Sequence, residues 1–117
     1  MESNQYFLIN PNLSLKEVKE VFHSKFPNLY LDFFLKDEEI KLELLSLPIK
    51  EVSDLESQKA IVITSEMKVS DVIEEFLHKM GLKIRIFRKL GNSNVETSYT
   101  SQWSLKLQNQ RGGEMFI

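Results

Sequence analysis

Tyr6-Phe7-Leu8-Ile9-Asn10-Pro11-Asn12-Leu13-Ser14-Leu15-Lys16-Glu17-Val18 is the stretch on which the fold turns. Tyr6 to Ile9 is a short apolar run and reads as a strand. Asn10-Pro11-Asn12 stops it with residues that favour turns. Ser14-Leu15-Lys16-Glu17 then has the form of a capping box. In that motif the serine hydroxyl accepts from the amide three residues on, and the glutamate reaches back to the serine amide. Leu13 and Val18 are placed for a hydrophobic staple across the same helix start. Leu15, Val18, Val21, Phe22 and Phe26 follow at helical spacing, and Pro27-Asn28 ends the helix. From Leu29 to Lys36 the pattern alternates. Leu29, Leu31, Phe33 and Leu35 lie on one face, and Tyr30, Asp32, Phe34 and Lys36 on the other, which predicts a strand.

The same order of signals returns further along. Ala60-Ile61-Val62-Ile63 reads as a strand, and Met67 to Met80 as an amphipathic helix burying Val69, Val72, Ile73, Phe76, Leu77 and Met80. Gly81 suits a left-handed helix stop. Leu82 to Lys89 alternates again. Residues 5–26 slide onto 59–80 without a gap, matching Ile9 with Ile63, Val18 with Val72, Glu20 with Glu74, Phe22 with Phe76 and Lys25 with Lys79. After a one-residue skip, Leu29 meets Leu82, Phe34 meets Phe87 and Lys36 meets Lys89. This predicts an internal repeat, 5–36 and 59–89, within one domain spanning 1–117. Two βαβ-like units in tandem predict an α+β fold. The simplest closed form is a ferredoxin-like antiparallel sheet with two helices on one face, its first and third strands central.

Two stretches lie outside the repeat. The acidic insert, 37–58, has seven acidic and two basic residues and predicts an added strand or helical turn. Its segment Ile40 to Leu47 suggests a short strand before Pro48. The C-terminal extension, 90–117, reads as a turn at Gly91-Asn92-Ser93-Asn94, a strand through Val95, Thr97 and Tyr99, and a short helix from Trp103 to Gln110. Gly112-Gly113 stops that helix.

Composition narrows the chemistry. The chain has 117 residues, 42% apolar and 27% charged, with a net charge of -2 and no cysteine. Disulfides, thiolate catalysis and cysteine-ligated zinc are excluded. The charge provides no global attraction to nucleic acid or to an anionic membrane. The polar N-terminus lacks a secretory pattern, and no apolar run approaches the ~20 residues that span a bilayer. A cytoplasmic protein is expected. His23 and His78 read as surface helix residues. Asp37-Glu38-Glu39 lacks the alternation of a calcium loop. The hydroxyl-rich stretch from Ser93 to Ser104 lacks a nucleophile elbow. No cofactor and no metal site is expected.

The informative feature is the second sheet face. Tyr6, Leu8, Ala60 and Val62 oppose the core residues of the first and third strands. Tyr30, Phe34 and Phe87 do the same on the second and fourth. So apolar a face calls for a cover. Expected covers are Ile40 to Leu47, the tail bearing Trp103, Leu105, Leu107, Phe116 and Ile117, or a second subunit. The resulting interaction surface is Tyr30, Phe34, Lys83, Arg85, Phe87 and Trp103. The main expectation is a non-catalytic protein-interaction module, with a homodimer through this face as one form. Aromatics interleaved with Lys83, Arg85 and Lys89 also match a single-stranded RNA-binding sheet. A small enzyme would need a polar pocket drawing on His78, Arg85, Glu96 or Tyr99.

Phe87-Arg88-Lys89, Gly91, Glu96-Thr97, Thr100, Trp103, Leu105 and Gln108-Asn109 resemble the C-terminal pattern of a small uncharacterised bacterial protein family. There an RK-x-G turn leads to an ET strand and a T-x-x-W-x-L-x-x-Q-N stretch. The resemblance covers about the last third of the chain. Lys106-Leu107 stands where the pattern has an acidic residue. It implies a fixed role for the Trp103 segment in docking or recognition, and brings no activity with it.

Overall fold

Strand β1 (Tyr6–Ile9) buries Phe7 and Ile9 and turns Tyr6 and Leu8 to solvent. The computed structural model describes residues 6–35 and 38–113. Helix α1 (Leu15–Lys25) opens with the predicted box: the Glu17 amide donates to Ser14 Oγ at 3.0 Å, and the Ser14 amide donates to Glu17 Oε1 at 2.8 Å. Its stripe of Leu15, Val18 and Phe22 is buried. Strand β2 (Leu29–Leu35) points Leu29, Leu31 and Phe33 into the same core. The acidic stretch forms a two-residue strand β3 (Glu38–Glu39), a 3-10 turn at Leu42–Leu44 and a single turn of helix α2 (Ile49–Val52). Added elements were expected here, but the strand expected inside Ile40 to Leu47 falls two residues earlier.

Strand β4 (Ile61–Thr64) and helix α3 (Val69–Glu75) follow, and α3 runs on as a π turn over Phe76–Met80. Gly81 ends it at φ 66°, the left-handed conformation that glycine adopts without strain. Strand β5 (Lys83–Leu90), a turn at Gly91-Asn92 and strand β6 (Ser93–Glu96) form a hairpin. The expected strand through Tyr99 stops at Glu96, and Tyr99 sits instead in a 3-10 turn, Ser98–Thr100. Helix α4 (Leu105–Gly112) starts two residues later than expected and runs through Gly112.

The ferredoxin-like sheet is not what these strands form. β1 pairs antiparallel with β4 as a separate two-stranded ribbon, and the remaining strands form a second sheet in the order β3-β2-β5-β6. Alternation tells which way each side chain points but not which strand lies alongside. The longer strands β2 and β5 run six residue pairs against each other, from Leu29 opposite Arg88 to Phe34 opposite Lys83. That leaves the four-residue β1 and β4 to satisfy one another. Both sheets still close on one core, where Ile9, Ile61 and Ile63 meet Phe22, Phe33, Phe76 and Ile84. Each such side chain contributes about 1.5–3 kcal/mol of transfer free energy.

The starts of the helices are tied in pairs. The amides of Leu15 and Lys16 donate to the carbonyls of Leu47 and Leu45, and those of Ile49 and Lys50 donate to Leu13 and Pro11. The set recurs between α3 and α4. Val69 and Ser70 donate to Trp103 and Ser101, and Leu105 and Lys106 donate to Met67 and Ser65. First-turn helix amides have no partner within their own helix. Here the neighbouring strand-like segment supplies one.

Candidate functional site

Antiparallel register places side chains from paired strands on the same face. Tyr30 lies opposite Phe87, Asp32 opposite Arg85 and Phe34 opposite Lys83. Five of the six residues expected to form the interaction surface therefore share the face away from the core. Trp103 does not join them. It lies under Arg88, whose guanidinium carbon is 5.6 Å from the ring centroid. Arg88 has the parity of the core-facing Ile84 and Ile86.

Among the described residues, neither the Ile40 to Leu47 stretch nor the segment from Trp103 to Gly113 closes this face. Leu44 and Leu45 pack against the core, Leu105 is fully buried in it, and Leu42 stands out at 84% exposure. Phe116 and Ile117 lie outside the described residues. A groove of about 810 Å³ remains. Its floor holds Tyr30 and Phe87, one wall is α1, and Leu42, Leu45 and Ser46 form the rim. Phe34 is covered by Arg85, whose guanidinium carbon sits 4.3 Å over its ring. On the other sheet the ribbon turns Tyr6, Leu8 and Val62 outward, all more than half exposed.

The α1 wall carries Lys16, Lys19, Glu20 and His23, one helical face at i, i+3, i+4 and i+7. Lys19 Nζ lies 2.8 Å from Asp32 Oδ1, a partly exposed pair worth at most ~1 kcal/mol. The His23 ring stacks on Tyr30 with centroids 4.6 Å apart. Its Nδ1 is 2.9 Å from the Leu29 carbonyl. A carbonyl only accepts, so Nδ1 carries the proton and Nε2 of the neutral ring is an acceptor. His23 is thus a partly exposed helix residue, as expected, but one fixed between a strand carbonyl and the Tyr30 ring. The signal for it was in the sequence, in the shared helical face of Lys16, Lys19 and His23. His78 stays exposed, 3.5 Å from Glu74.

The paired hydrogen-bond sets supply an internal comparison. Where α1 has Lys16, Lys19 and His23, α3 has Ser70, Ile73 and Leu77 at the same offset from the bonded amides. The hollow beside α3 is smaller, about 310 Å³, and is lined by Ser70, Ile73, Ile86, Thr97 and Ser101. The fold closes there without the lysine, histidine and tyrosine set.

A second exposed feature lies past β6. Tyr99 is 101% exposed. Its turn is held on both sides. The Thr97 amide and hydroxyl donate to the Ile86 carbonyl at 3.1 and 2.8 Å, and Gln108 Nε2 donates to the Thr100 carbonyl at 2.8 Å and to its hydroxyl oxygen at 2.6 Å.

Among the described residues no three His, Asp or Glu side chains gather as metal ligands, and no helix is long and apolar enough to cross a membrane. No family model, curated protein or solved structure matches the chain.

Proposed function

We propose that the chain is a non-catalytic protein-interaction module of the cytoplasm, and that its docking surface is the groove between α1 and the outer face of β2 and β5. The observation that carries this is the groove itself: about 810 Å³ whose lining surface is mostly apolar, with Lys19 and Asp32 already neutralising one another. Binding pockets are concave and apolar with few polar groups. The test is a photo-crosslinking amino acid placed at position 42, on the exposed rim, and for comparison at position 50, on the exposed side of α2. A discrete protein adduct is expected from position 42 alone. Equal yields from both positions would remove the groove as the docking surface.

The competing reading, a single-stranded RNA sheet, draws on Tyr30, Phe34 and Phe87 beside Lys83 and Arg85. Base stacking needs open ring faces. His23 takes one face of Tyr30, and Arg85 lies over Phe34. No retention of mixed single-stranded RNA is expected in low-salt filter binding. Salt-sensitive retention would reverse the choice between the two.

A further inference from the structure

We infer that Tyr99 is the anchor of a two-fold self-association, its ring seated in the groove of a second copy of this chain; the inference rests on the interaction reading above. Three observations converge on it. The first is presentation. A tyrosine at 101% exposure makes no packing contribution to its own fold, yet its turn is pinned by Thr97 to β5 and by Gln108 to α4. An aromatic side chain on a rigid tip loses little freedom on docking, as anchor residues at interfaces do. The second is the receiving site. The groove floor of Tyr30 and Phe87, with Leu42 and Leu45 at the rim, offers rings and aliphatic carbon to a ring. With Nδ1 on the Leu29 carbonyl, Nε2 of the neutral His23 ring is free to accept a hydrogen bond, which the tyrosine hydroxyl can donate.

The third is charge. The groove is lined by Lys16 and Lys19 against Glu20 and Asp32, so it is formally neutral and calls for a neutral occupant. Tyr99 is neutral, and its neighbours Ser98, Thr100 and Ser101 carry no charge. Each copy contributes one Tyr99 turn and one groove of this lining among its described residues. A two-fold axis therefore uses both contacts twice and closes the assembly at two copies.

The experiment is light scattering on wild type and Tyr99→Ala from about 10 µM to about 1 mM, the range expected of a small interface. Because the Tyr99 side chain is fully exposed, the variant keeps the amide spectrum of the wild-type monomer elsewhere. Wild type is expected to pass from one chain mass to two, and Tyr99→Ala to remain at one throughout. Tyr99→Phe, which lacks the donor to His23, is expected to dimerise at least threefold more weakly. N-acetyltyrosinamide added to Tyr99→Ala is expected to shift the amides of Tyr30 and Phe87 saturably.

A variant that dimerises like wild type would overturn Tyr99 as the anchor. Masses beyond two chains would overturn the two-fold closure. A wild type that stays monomeric to 1 mM would overturn self-association. In that last case a saturable shift with N-acetyltyrosinamide leaves the groove standing as a docking surface, and no shift removes that reading too.

Discussion

Gln108 is an uncharged polar side chain with no exposed surface, and it serves two parts of the molecule at once. Its amide nitrogen holds Thr100, and its oxygen accepts from Arg88 Nη1 at 3.1 Å. Arg88 Nε is buried and has no hydrogen-bond partner among the described residues, so this guanidinium depends heavily on Gln108. Replacing Gln108 by leucine keeps the volume and removes all three hydrogen bonds, two to Thr100 and one from Arg88. We expect Gln108→Leu to cost ~1–3 kcal/mol in urea denaturation, because the groups left behind cannot reach water. The neighbourhood was only half legible. Trp103 and Gln108 were picked out together by the resemblance, but Trp103 was assigned to the outer face. Its contact with Arg88 depends on how α4 is folded back, and alternation within β5 does not encode that. His23 illustrates the same limit. Its helical position was plain, but the carbonyl that orients it belongs to a strand six residues on.

Elements were read more reliably, since caps, stripes and stops are written within a few residues of where they act. The Ser14 box is the clearest case. Ser14→Ala should lower stability by about 1 kcal/mol, read as a shift in the urea midpoint. The start of α3 lacks the serine. There only the Lys68 amide donates to Asp71 Oδ2, at 3.3 Å. Lys68→Ser would complete the pair and should raise stability by about 0.5–1 kcal/mol in the same assay. Gly81 gives the opposite sign. At φ 66° an added Cβ would stand 2.7 Å from Leu55 Cγ and from Ser53 Oγ. Gly81→Ala should therefore cost more than the ~1 kcal/mol of the backbone conformation alone, with a lower melting temperature as the readout. Short elements were harder to place. β3 spans two residues, and Leu42 to Leu44 turns as a 3-10 helix. In so few residues the leucines fit a strand and a turn equally well.

For the whole molecule, what escaped the sequence was the choice of neighbours. The inner faces of β1, β4 and β5 were as expected, but Leu35 of β2 and Leu77 after α3, both expected inward, are about half exposed, and Phe34 is buried instead. The C-terminal strand β6 does lie beside β5. Yet β1 chose β4 and β2 chose β5, so every ladder outside the two hairpins joins the first half of the chain to the second. The outer face followed from alternation. The groove did not, because it needs α1 to stand beside β2 and the acidic stretch to stop short of covering it. The crossed pairing makes a sharp prediction. Fragments 1–58 and 59–117 should each give a coil-like circular dichroism spectrum, and mixing them should restore strand and helix signal. A folded isolated fragment would contradict the crossed ladders. The same pairing sets an order of events during synthesis. On the ribosome, β1 waits for Ile61 to Thr64 to be made, and the far end of the β2 ladder waits for Arg88. Until then the newborn first half travels with Phe7, Ile9, Leu31 and Phe33 unsheltered. Those side chains find their partners only when most of the chain has been translated.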